Sequence, residues 1–188
     1  MSSPVVRLSV ALPVTGALVD GLGSGQWDLP TPCPDWTVRA LVNHLVLGHR
    51  RFAAAVTGGT PPDPGEDYLG ADPGTAYRAS GEAMLAAFRA DGALERAVTI
   101  PAGTLPGVVA CELRVVEALV QGWDLARATG RTLEFPDDMV EQSIAFSRVQ
   151  LGRLPADRTP FGPSKPVDDD APALDRLAAL LGRSISPR

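Results

Sequence analysis

The chain has 188 residues, of which 45% are hydrophobic, and its 17 basic and 22 acidic residues give a formal charge of −5. This length suits one domain with a real core, so we expect a single domain over 1–188. No basic run or basic helix face could neutralise a row of phosphates, which excludes nucleic acid as the expected partner. No apolar run approaches the roughly 20 residues of a membrane span, so no membrane association is predicted.

The helical pattern begins within 4–22, where Pro13 either kinks the first helix or lies in its first turn. A proline-rich loop over 23–35 follows. Asp35 or Thr37 then caps a second helix that runs to about Val56. A loop rich in proline, glycine and aspartate separates this helix from a third one, predicted over 75–91.

The second half of the chain contains the longest helical pattern. Residues 97–107 predict a short extended excursion or small hairpin. The long helix over 108–129 ends at Gly130, and Pro136 opens a fifth helix to about Gly152. After a loop-like stretch over 154–170, a short amphipathic helix occupies 171–182. These elements predict an all-α helical bundle with small additions.

The cysteine pattern and the first apolar segment both bear on the cellular compartment. Cys33 and Cys111 are too few and too far apart to form a disulfide framework, which favours a reducing environment. The apolar stretch over 8–19 is split by Pro13 and followed by Asp20, unlike a signal peptide. We therefore expect a cytoplasmic protein.

Two histidines lie on the second helix, and helical periodicity assigns them different surroundings. His44 shares a face with Leu41 and Leu45, so it points towards the core or into a cavity within it. His49 lies about 140° further round and is expected to be partly exposed. An inward histidine is most often a satisfied core residue, so His44 alone does not define a site.

The long helix is apolar over most of its circumference, with one narrow polar stripe. Glu117, Gln121 and Asp124 follow one another at i, i+4 and i+7. This stripe is either a solvent-facing strip or one half of a metal site, because bundles assemble such sites from facing helices.

Cys33 precedes a helix start, where a thiol pKa can fall, but it lies between two prolines and is expected to pack. Cys111 is predicted to lie in the core.

Three segments carry a resemblance to a known family: WDLPTPCPDWTVRALVNHLV at 27–46, GWDLARATG at 122–130 and APALDRL at 171–177. In this order and spacing they resemble the DinB-like superfamily. More narrowly, they are similar to its branch related to the metal-binding domain of mycothiol-dependent maleylpyruvate isomerase. The resemblance implies a DinB-like four-helix bundle, to which the elements above add short helices and a small hairpin or extended excursion.

The resemblance also implies a divalent metal, zinc or nickel, held by one histidine and a later Glu-x-x-x-His pair. The ligands carried over are His44 and Glu117, and Gln121 stands where the family has its second histidine. A glutamine oxygen is a weak ligand for zinc or nickel, so the metal site is degenerate. Asp124, one turn beyond Gln121, is an alternative metal ligand. However, the Trp-Asp dipeptide to which it belongs resembles a structural feature of the family.

Two classes of function remain open. In the first, the protein is a metal-dependent thiol transferase or isomerase-like enzyme, in which the metal activates a low-molecular-weight thiol such as mycothiol against a small-molecule substrate. No catalytic side chain is assigned. In the second, the cavity has lost transition-metal binding, and the protein binds a small molecule or forms a homodimer.

Overall fold

The computed structural model describes residues 2–34, 36–100, 103–153 and 161–185. These residues form six α-helices and two strands: α1 (Pro4–Asp20), α2 (Val38–Thr57), α3 (Pro73–Arg89), β1 (Ala97–Ile100), β2 (Gly103–Pro106), α4 (Gly107–Thr129), α5 (Asp137–Leu151) and α6 (Ala173–Leu180). The prediction of an all-α fold with a small hairpin is confirmed. Residues 101–102 of the predicted hairpin and the first part of the loop-like stretch, 154–160, lie outside the described residues.

The helix ends follow from local capping chemistry. The Ser3 side chain accepts a hydrogen bond from the backbone N–H of Val6 at the start of α1, and Thr37 does the same for Ala40 in α2. Of the two caps predicted for α2, Thr37 is thus observed, whereas Asp35 lies outside the described residues. Gly130 ends α4 as predicted, with a left-handed φ of 68° that glycine adopts without strain.

Four helices form the bundle. α1 packs against α3 and α4, and α2 packs against the same two helices. α4 also contacts α5, α6 and both strands, so it is the central helix of the molecule, as its wide apolar circumference predicts. Pro13 lies inside α1 rather than in its first turn, on an exposed position of the helix. None of the helices in the described part of the chain is long and apolar enough to cross a membrane.

Small residues allow α1 and α4 to approach closely. A Cβ atom on Gly122 would lie 2.9 Å from the Thr15 hydroxyl oxygen, and Thr15 itself donates a hydrogen bond to the carbonyl oxygen of Ala118. The helices are therefore held together by backbone proximity as well as by apolar burial. This packing fixes the polar stripe of α4 relative to the rest of the bundle.

Candidate functional site

A cavity of about 440 Å³ lies where the loop before α2, the helices α2 and α4, and the segment after α6 meet. This volume falls within the range of small-molecule pockets. Its walls combine aromatic and aliphatic side chains with several polar ones; the lining residues are Pro32, Cys33, Pro34, Trp36, His44, Glu117, Gln121, Phe161, Gly162, Leu181, Gly182 and Arg183. The three residues expected at the site, His44, Glu117 and Gln121, are thus brought to one cavity.

His44 and Glu117 are in direct contact across the α2–α4 interface. The Nε2 atom of His44 lies 3.3 Å from Oε2 of Glu117, and the two side chains are 36% and 19% exposed. The Trp36 ring packs against the imidazole with a centroid separation of 4.5 Å. His44 therefore forms part of the cavity wall, in keeping with its predicted inward position.

Glu117 is held in its ionised form. Burial alone would raise the pKa of its carboxyl, but the hydrogen bond from His44 and the positive charge of Arg114 outweigh burial and lower it. An ionised carboxylate only accepts hydrogen bonds, so Nε2 of His44 carries the shared proton. When the imidazole is neutral, its Nδ1 atom is consequently left as an acceptor.

His49 is not partly exposed, and this prediction was wrong. Its side chain is fully buried, and its Nδ1 lies 3.0 Å from the hydroxyl oxygen of Ser80 on α3. The reason is that α2 packs against both α3 and α4, so its buried surface is wider than a single apolar stripe. Helical periodicity placed His49 correctly around the helix but did not show that a second helix covers that side.

The polar stripe of α4 faces the interior rather than solvent. Gln121 and Asp124 are both buried, and Asp124 is completely so. Nη2 of Arg183, in the segment after α6, lies 2.8 Å from Oδ2 of Asp124. Arg183 also donates a hydrogen bond to the carbonyl oxygen of Leu181. The interpretation of the stripe as a solvent-facing strip is therefore wrong.

Cys33 joins this ion pair. Its Sγ atom lies 3.2 Å from Oδ2 of Asp124, 3.1 Å from Nη2 of Arg183 and 3.9 Å from Oε1 of Gln121. Burial and the negative charge of Asp124 raise the pKa of the thiol to about 12. The thiol therefore stays protonated near neutral pH and is a poor nucleophile. Its contacts are polar, so the predicted packing role describes only part of its surroundings. Cys111 is buried in the core, as predicted.

The Trp-Asp dipeptide at 123–124 ties the C-terminal part of the chain to α4. The Trp123 indole N–H donates to Asp175 on α6 at 2.6 Å, while Asp124 binds Arg183. The expectation that this dipeptide is a structural feature agrees with both contacts. Sequence reasoning missed Arg183, because an isolated arginine in a terminal segment carries no local signal of its long-range partner.

The residues at the site do not fit a transition-metal ion. His44 and Glu117 have the separation of about 3.3 Å expected for two ligands of a tetrahedral zinc ion. The third expected donor, however, is the neutral amide of Gln121, and the guanidinium of Arg183 lines the same cavity. Within the described ranges of the chain, no group of three or more His, Cys, Asp or Glu side chains could hold a metal ion. A weak third donor opposes the binding of zinc or nickel.

Comparisons with known proteins define the family of the chain. The family model described as "Mycothiol maleylpyruvate isomerase N-terminal domain" matches residues 12–126. The chain belongs to this family, and the predicted relationship is confirmed. Two uncharacterized proteins, from two strains of Mycobacterium tuberculosis, are each 30% identical over 183 residues, which cover 97% of this chain and 98% of each relative.

Two solved structures share the fold. The crystal structure of the mycothiol-dependent maleylpyruvate isomerase has a TM-score of 0.57 at 15% identity. A histidine-to-alanine mutant of the same enzyme has a TM-score of 0.59 at 14% identity. Both matches cover 75% of this chain and 70% of the other. At this identity the likeness concerns the fold alone.

Proposed function

We propose that this protein binds a small polar organic molecule in the cavity between α2 and α4 without a transition metal. One observation carries the proposal: Gln121 stands where the family has its second histidine, and it lines a cavity of ligand size together with His44 and Glu117. The cavity keeps the volume and the aromatic walls of a ligand site.

The polar groups of the cavity indicate which ligand it would accept. The ionised Glu117 is a hydrogen-bond acceptor in the cavity wall, so it favours a ligand with hydroxyl, amide or thiol donors. The apolar surface of Trp36 and Phe161 would cover its carbon skeleton. The first candidate is mycothiol, because the solved enzyme with this fold is described as mycothiol-dependent.

The proposal concerns binding, and it assigns no metal-dependent step. The same cavity would serve an isomerase-like enzyme only if a metal completed it, and that candidate is favoured by the spacing of His44 and Glu117. The two candidates differ in one measurable property, the affinity for zinc or nickel. Position 121 separates them, since a histidine there supplies the missing nitrogen donor.

The decisive experiment measures metal content and metal affinity. Wild type, Gln121→His and the control Gln121→His/His44→Ala are purified without chelators, analysed by elemental analysis, and titrated with Zn²⁺ and Ni²⁺ by calorimetry. We expect stoichiometric metal only in Gln121→His, because only that variant combines two nitrogen donors with Glu117. One transition metal per chain in the wild type would overturn the proposal.

A second measurement tests the ligand. Mycothiol is titrated against chelator-treated wild type, with tryptophan fluorescence as the signal because Trp36 lines the cavity. We expect saturable binding that Glu117→Gln weakens, since this change replaces one acceptor oxygen by a donor. Absence of binding would refute mycothiol as the ligand, and binding that requires added zinc or nickel would favour the enzyme.

A further inference from the structure

Three buried polar side chains meet in the bundle core, on the inner side of Glu117. His49 on α2, Tyr77 on α3 and Arg114 on α4 are all buried. In the described part of the chain, Nε2 of His49 and Nε and Nη2 of Arg114 have no hydrogen-bond partner, and the Tyr77 hydroxyl, although it interacts with Thr15, makes no hydrogen bond of normal geometry. Buried polar groups are nearly always satisfied by protein or by ordered water, so four such atoms together require an explanation.

The three side chains are close to one another. The rings of His49 and Tyr77 are 5.0 Å apart in an edge-to-face arrangement. The charge of Arg114 acts on the ionisation of both. Gly48 leaves room for the guanidinium, since a Cβ atom there would lie 2.8 Å from Nη2 of Arg114. Phe52 covers the guanidinium with its ring centroid 5.0 Å away.

Ser80 contacts one ring nitrogen of His49 and leaves the other without a partner. The Ser80 hydroxyl oxygen lies 3.0 Å from the carbonyl oxygen of Tyr77 and 3.0 Å from Nδ1 of His49. Its single proton serves one of these two contacts, so either ring nitrogen can carry the proton of His49. Burial, followed by the charge of Arg114, lowers the pKa of His49 well below its usual value, so the imidazole is neutral. In both tautomers Nε2 is a buried polar atom that needs a partner.

The chemistry of these atoms selects their missing partner. Nε2 of His49 needs a donor in one tautomer and an acceptor in the other, while Nε and Nη2 of Arg114 need an acceptor. The Tyr77 hydroxyl can serve as either. A water molecule donates and accepts at once, so it satisfies either tautomer of His49, whereas a cation would face the guanidinium of Arg114. We propose that His49, Tyr77 and Arg114 enclose an internal water site in the bundle core.

The water site is separate from the cavity, since His49, Tyr77 and Arg114 are not among the described residues that line it. It does not depend on which ligand the cavity takes. Its effect reaches the cavity through Arg114, which lies one turn before Glu117 on α4 and stabilises its negative charge. Water at this site solvates the buried guanidinium and so allows a cation to remain behind the cavity wall.

The test counts long-lived internal water in the full chain. Water-deuteron magnetic relaxation dispersion is measured on wild type and on His49→Phe/Tyr77→Phe, which removes two of the three partners and keeps the rings. Phe88→Leu is the matched control, because Phe88 is buried on the same helix as Tyr77 and carries no polar atom. We expect the dispersion amplitude to fall in the double variant and to persist in the control.

An unchanged amplitude in a folded double variant would overturn the proposal. A high-resolution crystal structure of the wild type provides a test that needs no variant. It should show one density peak within hydrogen-bond distance of both His49 Nε2 and the Arg114 guanidinium. Absence of such a peak, or an anomalous peak there after a bromide soak, would refute internal water, the latter in favour of an anion.

Discussion

Removing the charge of Asp124 is expected to destabilise the protein strongly, because the carboxylate and its arginine partner are both buried. The side chains of Asp124 and Arg183 are 0% and 9% exposed, and the arginine binds the carboxylate through Nε as well as Nη2. Asp124→Asn keeps the size of the side chain and leaves the guanidinium without a counter-charge. Breaking a buried pair in this way costs about 3–5 kcal/mol.

Urea denaturation followed by circular dichroism at pH 7 measures this loss. The double variant Asp124→Asn/Arg183→Met removes the stranded cation, so we expect it to recover about 2 kcal/mol relative to the sum of the single changes. Asp67→Asn is the matched control: it breaks the Arg39–Asp67 pair, whose side chains are 41% and 53% exposed. Such a pair contributes less than about 1 kcal/mol. Equal losses for the buried and exposed pairs, with no coupling, would refute the reasoning.

Three further changes test other parts of the structure. The Cys33 thiol should react with a disulfide reagent at pH 8 at least ~100-fold more slowly than free cysteine, because its pKa is raised to about 12. Asp124→Asn should accelerate it by removing the negative charge beside the sulfur. The pKa of His49 is lower in the folded state than in the unfolded state, so the free energy of unfolding is retained above the unfolded pKa of about 6.5 and falls as the pH drops below it. This pH dependence has a slope of up to about 1.4 kcal/mol per pH unit. We expect His49→Phe to remove it, as measured by urea denaturation at several pH values. Gly107→Ala should cost about 1–3 kcal/mol in the same assay, since the added Cβ would overlap the carbonyl oxygen of Ala93.

Each of these expectations has its own control. Cys111, whose pKa burial also raises to about 12, should remain unreactive while the protein is folded. Gly25→Ala should change stability by less than about 0.5 kcal/mol, because nothing lies within 4 Å of the added Cβ. Rapid labelling of Cys33 in the wild type would contradict the raised thiol pKa. If the unfolding free energy of the wild type varied with pH in parallel with that of His49→Phe, the lowered pKa of His49 would be refuted. If Gly107→Ala left the unfolding free energy unchanged, α4 would have to shift to make room for the added Cβ.

The sequence was informative where a feature depends on neighbouring residues. The cap at Thr37 and the end of α4 at Gly130 follow from side-chain and backbone preferences that act within one helical turn. The convergence of His44 and Glu117 followed from combining helical periodicity with the family resemblance. Both kinds of prediction use regularities that repeat along the chain, and such regularities are visible in a single sequence.

Features that depend on distant parts of the chain could not be predicted in this way. Arg183 contacts Cys33 across 150 residues and Asp124 across 59. The exposure of His49 was predicted wrongly because α3 covers its side of α2. A hydrophobic pattern shows which face of a helix is apolar, but it does not show which polar residues a neighbouring element will bury. Arg183, which lines the cavity, belongs to this second group.

The ion pair between Asp124 and Arg183 holds the segment after α6 against α4, and the cavity is complete only when that segment is in place. Leu181, Gly182 and Arg183 form one wall, so a molecule in which this segment detaches from α4 has an incomplete cavity. The apparent affinity for any ligand equals the intrinsic affinity multiplied by the docked fraction. By reciprocity, a ligand that contacts this wall shifts the segment towards its docked state and protects it from proteases. The free energy of docking residues 181–183 against α4 therefore limits the apparent affinity of the cavity for its ligand.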